Sequence, residues 1–366
     1  MIGQAITTSI GTATVTRELG AGAQGAVYAV MVGGREFACK VHDPLYLTAD
    51  NWQRIQQMVV QPPVQDYRFL LPLAVGTTRD GRCCYLMPVS GDGFESLSTI
   101  LSGVPGHRGV PRPDLFVACC IGEQICDAFL CLHRNGYVYG DFNDCNVRVR
   151  RSTGEIEVID NDNIVREGTP VRLCRSDYGS PELLRAFVGG PEISCSQATD
   201  AHSVAVALYQ MLVLGHPFVG EIVSRTWQPL DQEAEFQAFG WGPERRGPVF
   251  QCDPHDKRNR PSAIAQRQYW NELPDHVRAI FLQQFGPGAK DPRQRVGVAV
   301  LRDMMTSLRE NLSPCPTCGG WKSIDAEQVH LTGQPPVCGF CGNAWTYIPA
   351  TKRKDGRRSL VHVVAA

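Results

Sequence analysis

Two groups of residues in this chain have types and spacings that can do chemistry. The first lies in Tyr139-Gly140-Asp141-Phe142-Asn143-Asp144-Cys145-Asn146, followed at Ile159-Asp160 by a second acid. One carboxylate can orient a hydroxyl, while a carboxamide five residues on and a second carboxylate can hold magnesium against phosphates. That set is what phosphoryl transfer from Mg-ATP requires. The second group is Cys315-Pro316-Thr317-Cys318 and Cys338-Gly339-Phe340-Cys341, two Cys-x-x-Cys pairs separated by nineteen residues. Each pair can bite one metal as a tight turn, and four thiolates suit tetrahedral zinc with no ligand position left open. Such an ion would be structural, and a module of ~40 residues with few apolar side chains would depend on it to fold. Each group also has a plainer reading. Asp141 and Asn146 can be a turn with capping side chains; the cysteines can be a redox pair or an iron–sulfur site.

The flanking sequence shows what would position these residues. An apolar run from Cys119 to Leu132 predicts a helix, with Gly136 as its stop signal. Valines and isoleucines alternate with polar residues from Val147 to Ile159, which predicts two short strands. Asp141 and Asn146 then sit on a loop, and Asp160 at the end of the next hairpin. Further upstream, Thr12 to Thr16 and Ala26 to Val32 are β-rich, and Gly33-Gly34 is a hairpin turn signal. Gly20, Gly22 and Gly25 fall between two of these strands, where backbone amides can approach phosphate oxygens because no Cβ intervenes. Lys40 ends the apolar strand Phe37 to Val41, within reach of such phosphates. Taken alone, these are a flexible hairpin and a snorkelling edge lysine. Residues 48 to 60 predict a helix capped by Thr48 or Asp50 and broken by Pro62-Pro63. Phe69 to Val75 and Arg82 to Val89 predict strands joined by Arg79-Asp80-Gly81.

In order and spacing, these motifs resemble those of protein kinases over roughly residues 10 to 310. Leu19 to Tyr28 resembles the glycine-rich loop, Phe37 to Val41 the lysine strand, and Gly179-Ser180-Pro181-Glu182 the end of an activation segment. The resemblance implies an α+β, two-lobed protein-kinase-like fold with a small C-terminal zinc ribbon. Residues 1–90 would be the β-rich lobe, 91–312 the helical lobe, and 313–366 the ribbon with a basic hairpin or tail. It implies that Gly20, Gly22, Gly25 and Val27 cover ATP and that Lys40 holds its α and β phosphates. Met87 to Gly91 would be the hinge, with Ser90 as the amide for adenine because Pro88 has no N–H. Asn146 and Asp160 would hold Mg2+, Asp141 would orient a serine or threonine hydroxyl of a protein substrate, and Asn143 would hydrogen-bond a phosphate. Glu182 would pair with Arg295, and Asp200 would brace the catalytic loop. His202 reads as structural.

The chain departs from the kinase pattern at four places. No glutamate lies between Glu36 and Glu95, so the helix at 48 to 60 offers only Asp50 and glutamines as partners for Lys40. Tyr139-Gly140 stands where an arginine would read a phosphorylated activation segment, and Asn143 stands where a lysine is usual. Asp160-Asn161-Asp162 replaces Asp-Phe-Gly. The loop type, the stretch Pro248 to Pro254 followed by Asn259-Arg260-Pro261, and the cysteine cluster resemble a bacterial subfamily. Some of its members accompany a von Willebrand-type protein and a metal-dependent phosphatase in tellurium-resistance systems. The departures support a second reading, a nucleotide-binding pseudokinase that docks partners. Survival of Lys40, Asp141, Asn146 and Asp160 favours activity.

Composition adds bounds. The chain has 366 residues, 43% hydrophobic and 20% charged, with a formal net charge of -1, so no global field recruits nucleic acid or anionic lipid. No signal peptide is evident and no apolar run reads as the ~20 residues needed to cross a bilayer, which predicts a cytoplasmic protein with no membrane partner. Eleven of the fifteen cysteines lie outside the terminal pairs and read as reduced, small hydrophobes. Trp321, Trp345 and Tyr347 form either a small core for the ribbon or a partner-binding face. The basic run Thr351 to Arg358 suits nucleic-acid binding or a solvated turn equally well.

Overall fold

A computed structural model of the chain describes all residues except 23, 103–113, 171–173, 227–231, 243–246, 325–328, 330, 340 and 345–366. Trp345, Tyr347 and the basic run therefore lie outside the described residues. Strands β1 (Ala5–Thr8), β2 (Gly11–Gly22), β3 (Gly25–Val32) and β4 (Arg35–His42) form an antiparallel meander. Helix α1 (Ala49–Val60) follows, then β5 (Ala74–Thr77) and β6 (Cys83–Met87). Because β1 also pairs with β5, the six strands close into a barrel of order β1-β2-β3-β4-β6-β5. Alternation along the strands turns Ile6, Val15, Val30, Cys39 and Leu86 inward to fill it. The β3–β4 turn runs through Gly33 and Gly34 at φ 54° and 81°, the left-handed pair that a two-residue hairpin needs. Thr48 caps α1 by accepting from the Asn51 N–H, and Ile55 buries the helix against Ala38, Tyr85 and Met87 of the barrel.

The second lobe begins with β7 (Phe94–Ser96), α2 (Leu97–Leu101) and α3 (Leu115–Arg134). Strands β8 (Tyr137–Val138), β9 (Val147–Arg150), β10 (Ile156–Val158) and β11 (Val165–Arg166) carry the loops of the site. Helices α4 (Pro181–Phe187), α5 (Gln197–Val213), α6 (Glu221–Thr226), α7 (Gln232–Phe236), α8 (Ile264–Glu272), α9 (Asp275–Phe285), α10 (Pro287–Lys290) and α11 (Val298–Glu310) complete it. A last hairpin pairs β12 (Leu312–Pro314) with β13 (Trp321–Ser323). One apolar core joins α3, α5, α9 and α11, with Phe129, Tyr209, Phe281 and Phe285 fully buried in it. His202 is buried there between Phe218 and Phe285, as a packed ring.

The composition-based expectation about membranes needs one correction. Helix α3 has 20 residues and contains an 18-residue window of mean hydropathy 1.8, long and apolar enough by length and composition to cross a bilayer. Its burial shows why it is so apolar: Ile121, Ile125, Phe129 and Leu132 are fully buried in the lobe, and its acids Glu123 and Asp127 pair with Arg309 and Arg302 of α11. Residues 69–73, expected as the start of a strand, make only an isolated bridge from Phe69 to Val158 before β5 begins at Ala74.

Candidate active site

The barrel and the helical lobe enclose a cleft of about 500 Å³. Gly20, Gly22, Gly25, Val27, Lys40, Met87, Ser90, Asp141, Asn143, Asn146 and Asp160 all line it. The structure thus brings together every residue singled out for nucleotide and phosphate chemistry. Gly20 and Gly22 have open space where a Cβ would stand, whereas a Cβ on Gly25 would lie 2.1 Å from the Val41 carbonyl oxygen at φ 149°. Gly25 is therefore fixed by the fold of the hairpin, while the other two leave the roof of the cleft bare backbone.

Asp200, at the start of α5, sets the catalytic loop. Its carboxylate accepts from the Tyr139 N–H at 2.8 Å, the Gly140 N–H at 3.1 Å, and faces His133 Nε2 at 2.9 Å. Gly140 has φ 78°, and an added Cβ would sit 3.1 Å from Cys195 Sγ, so no arginine fits this backbone without strain. Tyr139 occupies the core and its hydroxyl donates to the Ile159 carbonyl and, at 3.2 Å, to that of Asp160. It ties the catalytic loop to the metal loop.

Asp141 is buried, yet its Oδ1 has no hydrogen-bond partner among the described residues; Oδ2 is 3.4 Å from Asn163 Nδ2. Burial, and then the charge of Asp160, push its carboxyl up to about 7, while the Arg175 amide and charge pull the other way. A buried acceptor without a partner is uncommon in a folded protein, and this one belongs to a residue that lines the cleft. The Asn146 carboxamide spends Nδ2 on the Asp141 carbonyl at 3.1 Å, so Oδ1 is the atom left for a cation. Asp160 sits in the left-handed region at φ 59° and ψ 42°, one of two such non-glycine residues among those described. Strained backbone of this kind is held by its surroundings and concentrates at working sites. Oxygens of Asn146 and Asp160 are the hard donors magnesium takes.

Lys40 is almost fully buried and its partner is Asp162. Nζ is 3.0 Å from both Asp162 oxygens, bonds Asp160 Oδ1 as well, and lies 3.2 Å from Gln24 Oε1. Burial opposes the lysine charge, but Asp162 and Asp160 outweigh it and hold the ammonium above its ordinary range. Asp162 is also met by the Tyr85 hydroxyl at 3.3 Å, and its carbonyl accepts from Arg54 Nη2 of α1 at 2.9 Å. The missing helix glutamate is therefore answered from the metal loop itself, and none of the α1 glutamines is in contact with Lys40 among the described residues. The signal was visible as an acid two residues beyond Asp160, but a contact 122 residues apart in sequence cannot be read from spacing.

Asn143 lines the cleft with its carboxamide committed to the loop: Nδ2 donates to the Asp141 carbonyl at 3.0 Å and Oδ1 accepts from the Cys145 N–H at 3.0 Å. At the hinge, Glu157 accepts from the Gly91 N–H at 3.0 Å and from Ser90 Oγ at 2.5 Å. The Ser90 N–H has no protein partner among the described residues. Glu182 and Arg295 form a buried bidentate pair, with Nη1 at 2.6 Å and Nη2 at 2.5 Å.

The four terminal cysteines also converge. Their Sγ atoms all lie within 4.8 Å of one another, with Cys315 to Cys341 at 3.8 Å and Cys318 to Cys338 at 3.7 Å. A tetrahedron with Zn–S bonds of about 2.3 Å has edges of about 3.8 Å, so the group fits zinc and is far from disulfide contact. Each pair closes as a knuckle, through Gly319 N–H to the Cys315 carbonyl and Gly342 N–H to the Cys338 carbonyl, both 2.8 Å. Lys322 pairs with Glu272 at 2.9 Å and Trp321 stacks on Phe116, which docks this module on α8 and α3.

Comparison with known proteins accords with this architecture. No protein-family model matches the chain. Two Escherichia coli proteins named Protein kinase YegI are 25% identical over 339 residues and 26% identical over 341, each match covering 88% of this chain. The chain spans about half the length of these relatives, 48% in each case. Rho-associated protein kinase let-502 of Caenorhabditis briggsae is 33% identical over 112 residues, 28% of this chain. The solved structure of the Cydia pomonella Granulovirus kinase PK-1 superposes with a TM-score of 0.53 at 16% identity, covering 79% of this chain and 92% of that one. The chain has the protein-kinase fold.

Proposed function

We propose that the chain is an active protein kinase that transfers the γ-phosphoryl group of ATP to a serine or threonine hydroxyl of a protein. The observation that carries this reading is the convergence of Lys40, Asp141, Asn146 and Asp160 on one cleft, with the buried Asp141 Oδ1 left without a hydrogen-bond partner among the described residues. Gly20 and Gly22 leave backbone amides to cover phosphates, and Lys40 holds the α and β phosphates while Asp162 fixes its ammonium. Asn146 and Asp160 would hold Mg2+, which supplies charge neutralisation at the phosphates. Asp141 accepts the hydrogen bond of the substrate hydroxyl and takes its proton as the new O–P bond forms and the bond to the ADP oxygen breaks. The work is positioning and electrostatics, so loss of one of these groups lowers the rate by orders of magnitude. The kinase names of the YegI proteins support the same reading.

The cysteine cluster is read as a structural zinc site. Its S···S spacing supports zinc, and its docking through Glu272 and Trp321 supports a role in holding the end of the chain to the helical lobe. The deciding experiment for the kinase reading is label transfer from γ-labelled ATP with magnesium, to self and to a generic basic protein, for wild type and Asp141→Asn. Transfer by wild type alone is expected. Absence of transfer by wild type, with ATP binding abolished in Lys40→Ala, would reduce the chain to a nucleotide-binding scaffold.

A further inference from the structure

Phosphoryl transfer gathers negative charge at the catalytic end of the cleft, and that end needs a cation. The loop from Asp141 to Asn146 contains two carboxylates and no basic side chain. Among the described residues, three basic side chains line the cleft: Lys40, Arg148 and Arg175. Lys40, held by Asp160 and Asp162, is the group already assigned to the α and β phosphates. Arg148 lies at the hinge end, with Nε 2.6 Å from Ser90 Oγ and Nη2 2.6 Å from the Phe94 carbonyl.

Arg175 enters from the segment before α4 and lies over the catalytic loop. Its Nη1 is 2.8 Å from Asp144 Oδ1 and 3.2 Å from Cys145 Sγ. Nε and Nη2 clamp Asp177 at 3.0 and 2.5 Å, and the Tyr178 ring centroid lies 5.5 Å from the guanidinium carbon. The group is thus fixed in place by neighbours, although its side chain remains 41% exposed. Of its five N–H donors, three are used on carboxylates and one faces a sulfur, a weak acceptor.

We propose that Arg175 binds the γ-phosphate and supplies from this segment the positive charge that the catalytic loop lacks at Asn143. This rests on the kinase reading above and deepens it. A guanidinium keeps its charge at every working pH and offers paired donors that match phosphate oxygens. During transfer the hydroxyl oxygen bonds to the γ-phosphorus, the bond to the β–γ bridging oxygen breaks, ADP leaves with the electron pair, and the proton passes to Asp141. Arg175 stays unchanged throughout and stabilises the charge on the non-bridging oxygens. Asp144 and Asp177 are positioning residues that hold it there.

The test compares wild type, Arg175→Ala and Arg175→Ala with Asn143→Lys, reading Kd for Mg-ATP and Mg-ADP by calorimetry and transfer of γ-label. Arg175→Ala is expected to weaken Mg-ATP about tenfold, leave Mg-ADP within about twofold, and slow transfer about 10²-fold, the usual effect of removing one charge-stabilising donor. Adding Asn143→Lys is expected to restore transfer at least about tenfold, because it returns a cation to the same end of the cleft. Equal weakening of both nucleotides would mean that Arg175 only shapes the loop, and would overturn the proposal. No recovery with the lysine would overturn it too. If wild type binds Mg-ATP and transfers nothing, the kinase reading fails while the ATP-to-ADP comparison still decides Arg175. If wild type binds neither nucleotide, both fall.

Discussion

Replacing Asp141 by Asn should make the nucleotide-free protein more stable while removing its activity. The carboxyl sits at about 7 in the fold against 3.8 in the ordinary state, because burial and then the Asp160 charge disfavour its ionised form. A group whose folded-state value is raised in this way favours the fold when protonated, and opposes it once pH rises through 3.8 toward 7. Above both values the penalty is full, about 4 kcal/mol by proton linkage. Water entry and relaxation of the cleft lower the expected gain to about 2 kcal/mol. The gain should fall by about half between about pH 8 and about pH 5.5, since the folded protein then carries the proton that the unfolded chain has lost. Urea unfolding of wild type and Asp141→Asn at the two pH values reads this directly, alongside label transfer that drops at least about 10²-fold. An Asn variant that is no more stable than wild type near pH 8, or whose gain does not change with pH, would refute the argument that Asp141 is held at an electrostatic loss.

Three further outcomes are expected. Asp162→Asn should weaken Mg-ATP binding about 30-fold, some 2 kcal/mol, because Asp160 becomes the sole carboxylate on Lys40 and is drawn from the metal; calorimetry with Mg-ATP measures it, and an unchanged Kd would remove Asp162 from the site. Glu182→Gln should lower stability by about 3 kcal/mol, seen in urea unfolding, because Arg295 is left as a buried cation without its carboxylate, and a neutral result would contradict that pairing. Purified protein should carry about one zinc per chain by elemental analysis, and Cys318→Ser should lose it while the unfolding of the two lobes persists; retention of metal in that variant would exclude the four-sulfur site.

The legible parts of the molecule were those written in local pattern. Glycine pairs at 33 and 34, the alternation from Val147 to Ile159, and the cap at Thr48 each report on a few neighbouring residues, and each appears in the fold. The members of the cleft could be selected because their order along the chain matches a known arrangement. Pairings between distant residues were harder. Closure of the barrel depends on β1 meeting β5 some seventy residues later, which no local periodicity encodes. The partner of Lys40 was sought on α1 because the resemblance places it there, whereas the tertiary fold brings in Asp162. Helix α3 went unrecognised in the sequence as a run long and apolar enough to cross a bilayer; a helix buried by its neighbours can be as apolar as one that crosses lipid.

The bond from the Tyr139 hydroxyl to the backbone of Ile159 and Asp160 has a pharmacological consequence. Inhibitors that enter an ATP cleft by turning the metal-binding acid outward need that loop to let go of the one beside it. In this chain the loop is held by the buried Tyr139 phenol, by Lys40 on both Asp160 and Asp162, by the Tyr85 hydroxyl on Asp162, and by Arg54 on the Asp162 carbonyl. Compounds that compete for the cleft as it stands would meet a site already in shape, while those that depend on an outward turn would have to break these attachments before gaining any contact of their own.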